Sequence, residues 1–109
     1  MKTITLYHAT PKDNVFPIMR EGLKAGPDGY VYFCKTENDA LKYNFFYDNS
    51  KHEVAVIPIK FTEEEFSKME LNIDNAPDYT PDAYAYEGSI PTSRIPFLYE
   101  IPLYKVEGK

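Results

Sequence analysis

Residues 3–10 read Thr3-Ile4-Thr5-Leu6-Tyr7-His8-Ala9-Thr10, and residues 3–8 alternate between the two faces of a predicted strand. Because successive strand side chains point to opposite faces, Ile4, Leu6 and His8 share one face, and Tyr7 lies on the other. The alternation predicts a half-buried strand that ends in a histidine. Such a histidine is either a core residue or a ligand-binding residue, and the other motifs of the sequence are needed to distinguish these roles.

Helical signals dominate the first half of the chain. A helix is predicted from Val15 to Glu21, capped by Asn14 and stopped by Gly22. A second is predicted from Glu37 to Tyr47 behind the N-cap Thr36. A capping box at residues 62–65 predicts one further helical turn, which runs as far as Lys68.

Strand signals dominate the second half. Strands are predicted over residues 30–34, 53–61, 83–87 and 97–106, with a short one at Leu71 and Ile73. Pro58 predicts an edge position or a bulge in its strand. With helices early and strands late, the sequence predicts an α+β fold with mostly antiparallel sheets, in a single domain over residues 1–109.

Composition narrows the classes of function. The chain has 109 residues, a net charge of −5 and only two arginines, Arg20 and Arg94. Nucleic-acid binding needs clustered Lys and Arg, so such a partner is disfavoured, while Arg94 either binds a phosphate or pairs with an acidic neighbour. The single cysteine, Cys34, indicates a reducing and therefore cytoplasmic compartment. No metal-ligand spacing and no membrane-length apolar run occurs, so neither a metal nor a membrane is expected.

Three segments together carry a family resemblance. Tyr7-His8-Ala9-Thr10 resembles a His-Gly-Thr-like motif, with Ala9 in place of the glycine, and Val31-Tyr32-Phe33 resembles an Ile-Tyr-Phe-Ala strand. Tyr43 follows Tyr32 by eleven residues, and Tyr86-Glu87-Gly88 ends a later strand. In this order the segments resemble the His-Tyr-Glu branch of the ADP-ribosyltransferase superfamily, which includes the poly(ADP-ribose) polymerases. The chain is similar to a minimal, single-domain bacterial or phage member.

The resemblance implies a fold, a substrate and a set of site residues. It implies split antiparallel sheets with two or three short helices, and NAD as the substrate, without a metal. Glu87 would stabilise positive charge on the ribose, and His8 would hydrogen-bond the ribose. Tyr32 and Tyr43 would sandwich the nicotinamide, and Thr10 would contact the adenine side. Tyr79, in the loop 75–82, would contact the acceptor.

Several functions remain open at this point. The first is an NAD-dependent mono-ADP-ribosyltransferase that modifies a macromolecule, more plausibly a protein than a nucleic acid. The second is a non-catalytic NAD- or ADP-ribose-binding protein, or an inhibitor protein, of phage or mobile-element origin. A tRNA 2′-phosphotransferase-like enzyme is the third, and the scarcity of arginine argues against it. The structural alternatives are that His8, Tyr32 and Tyr43 are core residues and that Glu87 is a solvated strand end.

Overall fold

In the part of the chain that the structure describes, two antiparallel sheets of three strands each form the frame of the protein. The computed structural model describes residues 2–47, 53–72 and 83–105. The strands are β1 (Thr3–Pro11), β2 (Tyr30–Phe33), β3 (Glu53–Thr62), β4 (Glu70–Asn72), β5 (Ala83–Glu87) and β6 (Leu103–Lys105). The helices are α1 (Val15–Glu21), α2 (Glu37–Tyr47) and α3 (Glu63–Ser67), with 3₁₀ turns at Lys12–Asn14, Thr92–Arg94 and Leu98–Glu100. The predicted α+β class with antiparallel sheets and short helices is confirmed.

The sheets have the strand orders β1-β3-β6 and β2-β5-β4. They join at one point, where Tyr7 and Cys34 exchange two backbone hydrogen bonds of 2.8 Å each. Because the polar backbone groups of Tyr7 face Cys34, the pair of Tyr7 with Pro58 in β3 makes no ladder hydrogen bonds. The nitrogen of Pro58 therefore points to the other side of β3, where β6 pairs only with Glu53–Ala55. The predicted edge position or bulge is therefore wrong for the strand as a whole: Pro58 lies in the central strand, at a point beyond its pairing with β6 where the missing N–H does no harm.

The main core lies between the sheets and under α1. Large apolar side chains from facing strands meet there, and the rings of Phe33 and Phe61 pack edge to face with centroids 5.0 Å apart. Its buried members are Leu6, Val15, Ile18, Leu23, Val31, Phe33, Ala55, Ile57, Ile59, Phe61, Ile90 and Ile101. A smaller cluster of Cys34, Ala40 and Ala83 packs against Tyr7, Ala9, Tyr32 and Tyr43 on the opposite face of β1. The tyrosines of this smaller cluster face the cleft described below.

The segment from Gly22 to Gly29 connects α1 to β2 and is fastened to the chain around Ile90. Leu23 and Ile90 exchange backbone hydrogen bonds of 2.9 and 2.8 Å. Gly88 donates its N–H to the Gly29 carbonyl at 2.9 Å, and the Ala25 N–H donates to Ser89 Oγ at 2.9 Å. These contacts hold the segment, hereafter the clamped loop (residues 22–29), as one wall of the cleft.

Two predicted caps are confirmed and one is wrong. Thr36 Oγ1 accepts from the Asp39 N–H at 3.0 Å, and the Thr62–Glu65 capping box is complete. Asn14 does not cap α1, because the 3₁₀ turn before it already holds its backbone in helical conformation, with φ −88° and ψ −6°. Its side chain instead donates to Thr10 Oγ1 at 2.9 Å.

The strand predicted over residues 97–106 was largely wrong. Leu98–Glu100 forms a 3₁₀ turn, in which the Glu100 carboxylate accepts from the Phe97 N–H at 3.0 Å, and only Leu103–Lys105 pairs with β3. Prolines at 96 and 102 enclose the turn, and neither can donate to a ladder. Ile73, Val106 and the proposed acceptor loop 75–82 with Tyr79 lie outside the described residues. In the described part of the chain, no helix has the length and apolar character needed to cross a membrane.

Candidate functional site

A cleft of about 550 Å³ opens where β1, β2, α2 and the clamped loop meet. Its size is typical of small-molecule sites. Aromatic side chains from three elements face it, and one lysine and one carboxylate stand among its described lining residues. The lining consists of Tyr7, His8, Ala9, Lys24, Gly26, Pro27, Asp28, Tyr30, Val31, Tyr32, Cys34, Ala40 and Tyr43. We call this the tyrosine cleft.

His8 lies at the edge of the main core, where β1 meets β2. Its Nδ1 is 2.8 Å from the carbonyl oxygen of Tyr32, and its ring packs on Phe33 with centroids 5.7 Å apart. Burial lowers the pKa of His8, and the hydrogen bond to the Tyr32 carbonyl opposes that effect only in part. The imidazole is therefore neutral at pH 7. Because a carbonyl can only accept, Nδ1 carries the proton, which leaves Nε2 as a hydrogen-bond acceptor for a ligand.

Tyr32 and Asp28 form a hydrogen-bonded pair in the wall of the cleft. The phenol of Tyr32 donates to Asp28 Oδ2, and the Tyr30 N–H donates to Asp28 Oδ1 at 3.1 Å. The bond to Asp28 raises the pKa of Tyr32 to about 12. The same bond is the main cause that lowers the pKa of Asp28, and the hydrogen bond from the Tyr30 N–H is the second. At neutral pH the pair consists of a phenol and a fixed carboxylate charge.

The tyrosine rings form a series along the cleft. Tyr30 and Tyr32 have centroids 6.5 Å apart at 42°, and Tyr32 and Tyr43 have centroids 6.4 Å apart at 34°. A flat ring held between two others requires parallel faces about 7 Å apart, since each contact takes about 3.5 Å. Tyr32 and Tyr43 thus lie side by side, but they are tilted and slightly too close to hold a ring between them. A rotation of one ring is needed before a third can enter between them.

Thr10 lines a neighbouring depression of about 270 Å³, not the tyrosine cleft. Its side chain is buried, and its hydroxyl accepts from Asn14 Nδ2. His8 and Lys24 line both the depression and the cleft, so these two residues mark the junction between them. The site is therefore a groove with a larger aromatic lobe and a smaller lobe that meet at one neutral and one cationic side chain.

Glu87 is not brought into the tyrosine cleft. It lies directly opposite Tyr30 in the β2–β5 pairing, on the same face of the sheet as Tyr32. That register puts its β-carbon about 5 Å from that of Tyr30 and about 7–8 Å from that of Tyr32. The exposed side chain lines a separate depression with Glu65 and Lys68. His8, Tyr32 and Tyr43 therefore converge, whereas Glu87 lies two residues beyond Ala85, the strand partner of Tyr32.

Sequence reasoning missed Asp28 and Lys24. Asp28 has a signal that could have been used, because an aspartate that accepts the N–H two residues on is a recognisable local motif. That motif directs its carboxylate towards the face that Tyr30 and Tyr32 share. Lys24 carried no comparable signal, because its position depends on the contact of Leu23 with Ile90.

Arg94, whose role the sequence left open, pairs with an acidic neighbour. Its guanidinium makes two hydrogen bonds to Glu65, of 2.8 and 3.0 Å, and a third to the Lys60 carbonyl at 2.6 Å. It also lies over the ring of Phe61, at 5.0 Å from the centroid. Arg94 therefore fastens α3 and β3 to the turn at Thr92–Arg94 and has no part in the cleft.

The described residues contain no group of three or more His, Cys, Asp and Glu side chains that could hold a metal ion. No protein-family model matches the sequence, and no curated protein is significantly similar to it. The functional argument therefore depends on the groove itself.

Proposed function

We propose that this protein is an NAD-dependent mono-ADP-ribosyltransferase of the His-Tyr-Glu type, which transfers ADP-ribose to a macromolecule and releases nicotinamide. The observation that carries the proposal is the contact of His8 with Tyr32. These residues come from separate strands, yet Nδ1 of one lies 2.8 Å from the carbonyl of the other, at the mouth of an aromatic cleft. The contact supports the proposal because it brings together two of the residues that the sequence resemblance assigns to NAD binding.

The two lobes suit the two halves of NAD. The nicotinamide would occupy the tyrosine cleft and stack on Tyr32 after a small rotation of Tyr43. The adenine half would occupy the smaller lobe, beside Thr10 and Pro17. Lys24, at the junction, would face the diphosphate that joins the two halves, and Nε2 of His8 would accept a hydrogen bond from the adjoining ribose.

The reaction breaks the bond between the ribose and the nicotinamide nitrogen. The electron pair of that bond leaves with the nicotinamide, which departs neutral, and positive charge develops on the ribose. A carboxylate beside the ribose lowers the barrier because its attraction is strongest in the transition state. Glu87 is our candidate for this role, provided that the ribose extends to the edge of the cleft at Tyr30.

The position of Glu87 also supports a second candidate, a protein that binds NAD or ADP-ribose without consuming it. Such a protein needs the groove but no carboxylate beside the ribose. The RNA phosphotransferase is not proposed, because such an enzyme needs several basic residues to bind RNA phosphates, and Lys24 is the sole Lys or Arg among the described residues that line the two lobes.

Nicotinamide release from NAD in the presence of cell lysate tests the proposal, with the native chain compared with Glu87→Gln and with Glu63→Gln. Glu63 is an exposed residue in the first turn of α3, so its replacement is a matched control for the loss of one carboxylate. We expect Glu87→Gln to lower turnover by about 10²–10³-fold while the Glu63 variant stays near native. If the native chain shows no turnover but is thermally stabilised by NAD, the second candidate, a non-catalytic binding protein, is supported instead of the enzyme. The absence of both would refute the family assignment.

A further inference from the structure

Among the residues that the structure describes, the lining of the tyrosine cleft combines aromatic rings with one fixed negative charge. Tyr7, Tyr30, Tyr32 and Tyr43 line it, and the charge belongs to Asp28. The carboxylate is held from two directions, by the phenol of Tyr32 and by the N–H of Tyr30. Its position is therefore fixed by β2, the strand that presents two of the four rings, Tyr30 and Tyr32.

This combination favours one ligand chemistry. The face of an aromatic ring attracts a cation through its quadrupole, and at exposed sites this attraction strengthens binding by about two- to fivefold. A carboxylate nearby adds a Coulomb attraction to the same cation. A neutral ring of equal shape would gain the stacking alone, so the cleft distinguishes ligands by charge as well as by flatness.

Lys24 is the opposing charge among the described lining residues, and it also lines the smaller lobe. It marks the junction with the smaller lobe, whereas Asp28 is bonded within the series of tyrosines. A ligand with a cationic ring and an anionic tail would match both charges at once. A ligand with the charges reversed would meet a like charge at Asp28 and at Lys24.

We propose that the tyrosine cleft selects a flat, positively charged ring and that Asp28 is the residue that determines this specificity. The inference deepens the proposed function and rests on it only for the natural ligand, which would be the pyridinium ring of oxidised NAD rather than the neutral ring of the reduced form. Asp28 does not take part in the bond-breaking step. It acts by binding the ring before the reaction.

The test uses two small probes that differ in charge, the 1-methylnicotinamide cation and neutral nicotinamide. Their dissociation constants are measured by ligand-observed NMR at low salt, with the full chain, with Asp28→Asn and with Asp13→Asn. Asp13 is exposed in the turn Lys12–Asn14, outside the cleft lining, so its variant matches the change in net charge. We expect the native chain and the Asp13 variant to prefer the cation by about tenfold, and Asp28→Asn to lower that preference by about threefold.

A further variant and a salt series complete the test. Asp28→Glu keeps the charge and should retain most of the preference, which excludes a merely structural effect of the substitution. The part of the preference due to Asp28 should shrink in high salt, because exposed charges are screened. Equal affinities in the native chain, no detectable binding of either probe, or an unchanged preference in Asp28→Asn would overturn the inference. Because neither probe is consumed, these results are independent of NAD turnover, so a failure of one proposal is distinguishable from a failure of the other.

Discussion

Replacing Gly22 by alanine should be among the most damaging single-methyl changes in this chain. Gly22 ends α1 and begins the clamped loop with φ 85° and ψ 178°, a conformation open almost only to glycine. A β-carbon built there would lie 2.2 Å from the carbonyl oxygen of Ile90. That carbonyl accepts the N–H of Leu23, so the methyl group would strike the hydrogen bond that holds the loop.

The expected loss has two parts. The backbone conformation costs an alanine about 1–3 kcal/mol. Relief of the clash separates Leu23 from Ile90 and weakens their two hydrogen bonds, each worth about 1 kcal/mol net. The sum is about 3–5 kcal/mol of the free energy of unfolding, a large share of the roughly 5–15 kcal/mol that keeps a domain folded.

Gly29→Ala is the matched control. Gly29 also has a positive φ, of 88°, but a β-carbon there meets nothing within 4 Å. It should lose only the conformational part, about 1–2 kcal/mol. Urea unfolding followed by circular dichroism measures both variants, and the Gly22 variant should be less stable by about 2 kcal/mol or more. Equal losses would refute the reasoning, because they would mean that the contact with Ile90 yields without cost.

Three further predictions concern single side chains. Because folding lowers the pKa of His8, the folded state is favoured above the unfolded pKa of about 6.5, and this contribution is lost as the pH falls. The free energy of unfolding of His8→Gln should therefore depend less on pH between about 5 and 7 than that of the native chain. The ionisation of Tyr32 can be followed as the difference in ultraviolet absorbance between the native chain and Tyr32→Phe, and it should occur near pH 12. When both proteins also carry Asp28→Asn, the ionisation should occur nearer pH 10. Arg94→Ala should lower the free energy of unfolding by about 2 kcal/mol and Arg94→Lys by less, since lysine keeps the charge but not the two-pronged contact with Glu65; equal losses in urea unfolding would contradict this.

The parts of the fold that local chemistry decides could be predicted from the sequence. The capping threonines at 36 and 62 mark the starts of α2 and α3, because each supplies a hydroxyl to a backbone N–H within its own turn. The alternation at residues 3–8 likewise predicts β1. The same reasoning wrongly predicts a side-chain cap at Asn14, because the 3₁₀ turn Lys12–Asn14, which has no strong local signal, already holds Asn14 in a helical conformation.

The parts of the site that depend on the meeting of two sheets were less predictable. His8, Tyr32 and Tyr43 could be grouped by resemblance, but the tilt of the tyrosine rings depends on where α2 packs against β1 and β3. Glu87 ends its strand as expected, yet its distance from the cleft depends on its register with Tyr30. Asp28 and Lys24 enter the cleft because the clamped loop is fastened to Ile90, a contact between residues far apart in sequence.

Asp28 and Glu87 would act at different stages of the proposed reaction, because the positive charge moves as the bond breaks. In bound NAD the charge is on the pyridinium ring, beside Asp28; in the transition state it has passed towards the ribose, where Glu87 is our candidate. A carboxylate at the ring favours the ground state, whereas one at the ribose favours the transition state and raises kcat. Asp28→Asn should therefore raise KM with little loss of kcat, and Glu87→Gln should lower kcat with little change in KM. If Asp28→Asn lowered kcat as strongly as Glu87→Gln, Asp28 would be the carboxylate at the ribose, and the placement of the nicotinamide against the tyrosines would have to be reversed.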